Sequence, residues 1–248
     1  MTTPHLEHLG KFKRILVDYQ ISNEGKELLD TTKLVFLTSV TAGGRNTIIR
    51  ELEKTGLYKF FVSDTTRPPR INNGVMEQNG VEYYFILESE FMEGLKRGEY
   101  LEAEVIHNQQ ISGINLKELR RVKEAGKIGI NEVGRLGAEN IHQASSNPHF
   151  IFVVLPSFEE WMRRLENRGK ISTEELNRRL GSAERELQEA LNSSYFKFVI
   201  NDKVEDAVET IRNIVEHDIY PKDLDEKARI LAQGMLRGVM ERLGKITT

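Results

Sequence analysis

The chain of 248 residues contains no cysteine. Disulfide frameworks, thiolate zinc sites, iron–sulfur clusters and cysteine nucleophiles are thereby excluded. The six histidines, His5, His8, His107, His142, His149 and His217, never fall at a metal-ligand spacing on one helix. No apolar run approaches the roughly 20 residues needed to cross a bilayer. The N-terminal MTTPHLEHLG also lacks the apolar core of a secretory signal. A cytoplasmic location with no membrane partner is the expectation. Neither sign of charge dominates, since 35 Lys+Arg face 38 Asp+Glu for a net charge of -3. That balance argues against a chain whose main business is coating nucleic acid. With 39% hydrophobic and 29% charged residues the composition is globular rather than disordered. The length suits one large α/β domain with appendages, or two small domains.

What is present alternates. Phe12, Ile15, Leu16 and Tyr19 recur at helical spacing, and a second helical patch ends at Leu28 and Leu29, so residues 1–32 read as a helical appendage. Leu34 to Leu37 predicts a buried strand, followed by a glycine-containing turn and the amphipathic helix NTIIRELEKTG, which Gly56 closes. KFFVS predicts a second strand. TTRPPRINNG predicts a loop, because two prolines and Asn73-Gly74 interrupt regular structure. VEYYFI, YLEAEVI, KIGINEV, HFIFVVLP and FKFVIND read as strands. Helices are expected at ESEFMEGLKRG, NLKELRRVKEAG, the long charged region from Ser157 to Leu191, and VEDAVETIRNIVEH. Such alternation predicts a parallel sheet flanked by helices, with the β-rich patch near residues 81–106 as a small inserted lobe. Beyond Tyr220-Pro221, Leu224, Ala228, Leu231, Met235 and Leu236 mark one face of a last helix, suited to packing or to self-association as a homodimer.

SVTAGGRNT, Ser39 to Thr47, stands after the first strand and opens the first core helix, where a phosphate-binding loop belongs. In such a loop glycines let backbone N–H groups turn around phosphate oxygens, a lysine neutralises the β/γ charge, and a Ser/Thr hydroxyl reaches Mg²⁺. The candidate donor residues are Ser39, Thr41, Ala42, Gly43, Gly44, Arg45, Asn46 and Thr47. Against G-x-x-x-x-G-K-[ST], the first glycine is Ser39, the lysine is Arg45 and the hydroxyl position is Asn46, followed by Thr47. Taken alone, the segment also fits a plain strand–helix turn.

Three further segments change that weighting. Ser63-Asp-Thr-Thr-Arg67-Pro-Pro-Arg70, Gly80-Val-Glu-Tyr83-Tyr-Phe and Gly98-Glu-Tyr-Leu-Glu102 closely resemble the acceptor-nucleotide site of guanylate kinases. RRLENRG and LNRRL resemble their lid, and VIND their late adenine-side loop. The resemblance covers residues 33–216, in order and at family-like spacing. It implies a P-loop kinase fold, an α/β architecture with a parallel sheet flanked by helices. A small β-containing lobe for a nucleoside monophosphate would occupy residues 66–115 and a helical lid residues 160–182. Residues 217–248 would form a C-terminal helical extension. The implied activity is ATP-dependent phosphorylation of a nucleoside monophosphate, GMP or dGMP, within purine nucleotide metabolism. Mg²⁺ would enter with ATP, through Asn46 or Thr47.

Carried over residue by residue, Ser63, Arg67, Arg70 and Tyr83 would hold the acceptor phosphate, a task that suits two guanidinium forks and two hydroxyls. Glu102 would accept hydrogen bonds from the guanine N1–H and exocyclic amine. Arg164, Arg168 and Arg179 match arginines that close over the phosphates and, with Arg45, form the catalytic set. Asn201 matches a position near the adenine. The family's I-D-x-Q-G reads here as Val133-Gly134-Arg135-Leu136-Gly137. A carboxylate is thus missing at Gly134, while Glu132 holds the preceding acidic position, for the acceptor base or a hydrated Mg²⁺. Y-Y-G-[ST] reads as Ile111-Ser112-Gly113-Ile114, which leaves Ser112 as a hydroxyl for the acceptor. These departures keep two alternatives open. One is a catalytically impaired guanylate kinase-like module that binds a nucleotide or a phosphorylated partner, and the other a kinase with a changed acceptor.

Overall fold

The computed structural model describes residues 6–244 apart from Asn73, Arg168 and Lys170. In chain order the elements are α1 (Leu9–Val17), α2 (Asn23–Thr31), β1 (Leu34–Thr38), α3 (Arg45–Lys54), β2 (Tyr58–Phe60), β3 (Ser63–Thr65), β4 (Ile71–Asn72), β5 (Val75–Met76) and β6 (Tyr83–Phe85). There follow α4 (Glu88–Lys96), β7 (Tyr100–Ile106), β8 (Gln110–Asn115), α5 (Leu116–Glu124), β9 (Ile128–Glu132), α6 (Arg135–Ala144) and β10 (His149–Val154). The chain ends with α7 (Phe158–Glu166), α8 (Thr173–Asn192), β11 (Phe196–Ile200), α9 (Val204–His217) and α10 (Lys222–Arg242). Two compact units divide them, and no described helix is long and apolar enough to cross a membrane.

One unit comprises Val35–Gly56, Glu132–Arg135 and His149–Thr248. Its parallel strands lie in the order β11, β10, β1, with Val35 opposite His149 and Phe150 opposite Phe196. Every residue of β1 is buried, as an unbroken apolar run covered on both faces requires. Phenylalanines interlock across the strands, Phe36 with Phe150 at 5.6 Å and Phe152 with Phe198 at 5.2 Å between ring centres. Helix α3 packs on α9, and α10 packs on α7, α8, β10 and β11. The apolar face of α10, Ala228, Ala232, Met235 and Val239, is therefore buried within the chain. Gly238 is needed at this contact, since a Cβ there would stand 2.5 Å from Cγ of Phe158.

The other unit comprises Met1–Leu34, Leu57–Asn131 and Leu136–Pro148. It holds the parallel pair β2–β9 and a mixed sheet in the order β6-β3-β8-β7. Helix α1, inside the expected N-terminal appendage, packs on β7 and α4, while α2 packs on α5. Asn147 ties down the end of α2, donating to the Leu29 carbonyl at 2.8 Å.

Most expected elements are present, with five differences. KFFVS is two strands rather than one, because Tyr58–Phe60 pairs with β9 while Ser63–Thr65 pairs with β6 and β8. The segment expected as pure loop carries the short antiparallel pair β4–β5, with Ile71 opposite Met76; an Asn-Gly dipeptide in a sequence is a hairpin signal as well as a breaker. The expected lobe gains the unforeseen strand β8, joined to β7 through His107 and Asn108, both at positive φ. Helix α6 was likewise not expected from the sequence, and the long charged helix is divided between α7 and α8.

Helix α10 also protects the outer edge of β11. Tyr220 Oη accepts the Phe198 N–H at 2.6 Å and lies 3.0 Å from the Phe198 carbonyl, with Asp225 as a further acceptor for its proton. Arg229 donates to the Phe196 carbonyl at 2.9 Å. Tyr220→Phe removes the nearer of two acceptors of the Phe198 N–H, leaving Asp225 at 3.4 Å, a loss of about 1 kcal/mol or more. At this chain length that lowers Tm by roughly 2–10 °C, and thermal unfolding followed by circular dichroism checks it.

Candidate active site

The loop Ser39–Thr47 belongs to the unit of β1, β10 and β11, and side chains hold its backbone. Trp161 Nε1 donates to the Thr41 carbonyl at 2.7 Å, and Asn201 Nδ2 donates to the Gly43 carbonyl at 2.7 Å. In a planar trans peptide the N–H points opposite to the C=O. Anchoring these two carbonyls therefore turns the N–H groups of Ala42 and Gly44 to the other side of the loop. Both residues are left-handed, Ala42 at φ 65° and Gly44 at φ 96°, and Gly44 caps the N-terminus of α3. Alternating handedness at a helix start makes the concave run of N–H groups that suits a phosphate.

Ser39, at the first glycine position of the motif, donates to the Val153 carbonyl at 2.7 Å and is buried. Gly43 makes room for it, since a Cβ on residue 43 would lie 1.8 Å from Ser39 Oγ. A Cβ on Gly44 would lie 2.2 Å from Asn201 Nδ2 and 3.7 Å from Nη1 of Arg164. Arg164 thus borders the loop, held by Glu160 at 2.6 Å from its Nε and by the Asn201 carbonyl at 3.1 Å from its Nη2. Hydrogen bonds from Arg163 and then Arg164 hold the Glu160 carboxyl down to about 2. Arg179 pairs with Glu175 one turn earlier on α8, at 2.7 Å. Arg168 lies outside the described residues.

Glu132, expected beside the acceptor base, belongs to the same unit as the loop, and its Oε2 is 3.1 Å from Arg45 Nε. Asn46 and Thr47, in the first turn of α3, are exposed.

The remaining candidates gather in the other unit, around the mixed sheet. Ser63 is in register with Tyr83 across β3–β6, and its Oγ accepts from the buried Asn131 at 3.2 Å. Arg67 and Glu77 form a buried pair, their side chains 6% and 5% exposed. Arg67 donates to Glu77 through both terminal nitrogens and lies over the Tyr83 ring, 4.8 Å from its centre. Glu77 also accepts the backbone N–H of Arg70 at 2.9 Å. Arg70 itself reaches Gln110 at 3.0 Å. Desolvation, then the Arg67 charge, lowers its pKa below the usual guanidinium value. Gln110 in turn donates to Ser112 Oγ at 3.3 Å, which shares a 2.7 Å hydrogen bond with Thr65. On β7, burial first and the Glu104 charge second push the Glu102 carboxyl up to about 8, against a hydrogen bond from the Ile114 backbone.

The structure thus assembles two groups. Ser39, Thr41, Gly43, Gly44, Asn201 and Arg164 meet around the loop, with Arg45 on Glu132. Ser63, Arg67, Arg70, Tyr83 and Ser112 share the mixed sheet and its flank with Glu102. Trp161, Glu77 and Gln110 escaped the sequence reading. A lone buried tryptophan 120 residues from its partner gives no sequence signal, whereas Glu77 could have been suspected as the one acid between Arg70 and Gly80.

The guanylate kinase family model matches residues 31–218. The chain is 37% identical over 186 residues to the guanylate kinase of Corynebacterium efficiens, covering 74% of this chain and 94% of the relative. It is 31% identical over 189 residues to guanylate kinase 1 of Arabidopsis thaliana, covering 75% of this chain but only about half, 48%, of that longer relative. Among solved structures, the guanylate kinase from Anaplasma phagocytophilum matches with a TM-score of 0.57, covering 88% of this chain and 98% of its own at 21% identity, which speaks for the fold. By the extent of the family match and by identity to its members, this chain belongs to the guanylate kinase family.

Proposed function

We propose that the chain transfers the terminal phosphoryl group of ATP to the phosphate of GMP or dGMP. The observation that carries this reading is the Arg45–Glu132 pair. A loop that had merely decayed would leave an unguided arginine at the lysine position. Here Glu132 takes the Nε edge of the guanidinium at 3.1 Å. The edge formed by Nη1 and Nη2 then serves the donor phosphates as a two-pronged fork, in place of the point charge of lysine.

Mg²⁺ entering with ATP would supply charge neutralisation for the donor phosphates. Asn46, Thr47 and Glu132 offer oxygen donors that suit such a hard cation. Among the described residues no group of three or more His, Asp or Glu could hold it without the phosphates, in keeping with the habit of Mg²⁺ of retaining water and substrate ligands. Arg164 and Arg179 serve the transition state by exchanging Glu160 and Glu175 for equatorial phosphate oxygens. On the acceptor, Arg70 supplies the charge, with Ser63 and Tyr83 as hydroxyl partners. Glu77, which neutralises Arg67, holds Arg70 in place by accepting its backbone N–H. Glu102 as a carboxylate accepts the two guanine N–H groups, and Ser112 adds a hydroxyl.

A coupled assay of ADP release across a panel of nucleoside monophosphates tests the reading, and selective turnover of GMP or dGMP is expected. Binding of GMP by calorimetry without any turnover would instead make this a binding module. Arg45→Ala should lower kcat by about 100- to 1,000-fold while leaving the Kd for GMP nearly unchanged.

The Ser39–Gly43 contact makes a second prediction. Gly43→Ala forces its Cβ into Ser39 and should cut kcat/KM for ATP by about tenfold or more. Adding Ser39→Gly removes the clash and should recover most of the loss, so a double variant no better than the single one counts against this compensation. The third concerns pH. Only the ionised form of Glu102 can accept both N–H groups, and its raised pKa keeps the unliganded site protonated at neutral pH. The KM for GMP should fall about tenfold per pH unit as pH rises toward about 8, then level off; Glu102→Gln should flatten that profile.

A further inference from the structure

The N-terminal segment precedes the residues matched to the family, 31–218, yet it is built into the acceptor sheet. Leu6 and Phe12 are buried in one apolar cluster with Phe91, Leu95, Tyr100 and Ile111. The backbone N–H groups of Glu7 and His8 both donate to Glu88 at 2.9 Å. Just past α1, Tyr19 Oη donates to the Tyr100 carbonyl at 2.6 Å and accepts the Tyr100 N–H at 3.1 Å. One side chain satisfies both backbone groups of one strand residue.

That residue stands at an irregularity. Strand β7 pairs with β8 as Tyr100 opposite Asn115 and then Glu102 opposite Ile114, so a register shift falls between Tyr100 and Glu102. A bulge of this kind gives up ladder hydrogen bonds and re-aims the neighbouring side chains, and its freed backbone groups need other partners. The Tyr100 ring is fixed as well. It stacks on Phe91, with centres 4.3 Å apart, and its hydroxyl bonds Asp64, the neighbour of Ser63, at 2.8 Å. Burial, opposed by the bond to Tyr100 and aided by the Glu102 and Glu99 charges, raises the Tyr19 pKa, so its hydroxyl stays a donor.

We infer that Tyr19 is a positioning residue for the acceptor base. It pins the bulge of β7 and thereby sets the direction in which Glu102 presents its carboxylate. This rests on the reading of Glu102 as the base contact, and the experiment separates the two. Steady-state kinetics are measured with GMP and with IMP, which lacks the 2-amino group, for the full chain and for Tyr19→Phe, Glu102→Gln and Tyr220→Phe. Tyr19→Phe should raise the KM for GMP about tenfold, the scale of one lost positioning hydrogen bond. It should also shrink the GMP-to-IMP ratio of kcat/KM while leaving the KM for ATP unchanged. Tyr220→Phe, which strips a comparable tyrosine contact from β11, should leave that ratio intact. If Glu102→Gln collapses the ratio and Tyr19→Phe does not, the inference about Tyr19 is overturned alone. If Glu102→Gln leaves the ratio intact, the base-contact reading falls and the inference falls with it. Equal losses in Tyr19→Phe and Tyr220→Phe would reduce Tyr19 to a general fold element and overturn the inference too.

Discussion

The planarity of two peptide groups underlies the donor loop. Trp161 and Asn201 hold the carbonyls of Thr41 and Gly43, and planarity alone then decides where the N–H groups of Ala42 and Gly44 point. A cradle made by backbone tolerates changes of side chain so long as the backbone path survives. That is why Ser39 can stand where the family motif has glycine. Its hydroxyl goes to Val153 and its bulk is accommodated by the bare Cα of Gly43.

Charge follows a similar economy. Arg45, Arg67, Arg164 and Arg179 each have a carboxylate partner, Glu132, Glu77, Glu160 and Glu175. Pairing each guanidinium with an acid offsets its charge in the folded chain. The four pairs are not alike. Arg67–Glu77 is buried on both sides and bonded to the Arg70 backbone, whereas the other three are partly open to solvent. Arg70 differs again in facing the neutral amide of Gln110, which leaves its charge uncancelled by that contact.

How much of this the sequence disclosed depends on the range of the interaction. Strands β1 and β10 are legible because their buried runs, Leu34–Leu37 and Phe150–Val154, are apolar throughout, as a strand covered on both faces requires. Most helices are legible from 3.6-residue periodicity, but α6 and the break between α7 and α8 are not. Asn73-Gly74 misleads because one dipeptide can end a strand or join two. The division of KFFVS is hidden because pairing partners decide it, and those lie 70 residues away at Ile130 or 20 residues away at Tyr83. The arginines of the site announce themselves through the spacing of a known motif. Their acidic partners, and the shift of Glu132 to Arg45, depend on tertiary placement that no local pattern records.

Trp161 is the chain's only tryptophan, is buried, and bonds the phosphate loop directly. Indole emission responds to the polarity and hydrogen bonding at its nitrogen. Any rearrangement that shifts the Thr41 carbonyl therefore changes the light this protein emits. The molecule contains a built-in optical gauge of the Ser39–Thr47 loop, undiluted by other tryptophans, and rapid-mixing fluorescence can follow movement of that loop without a label.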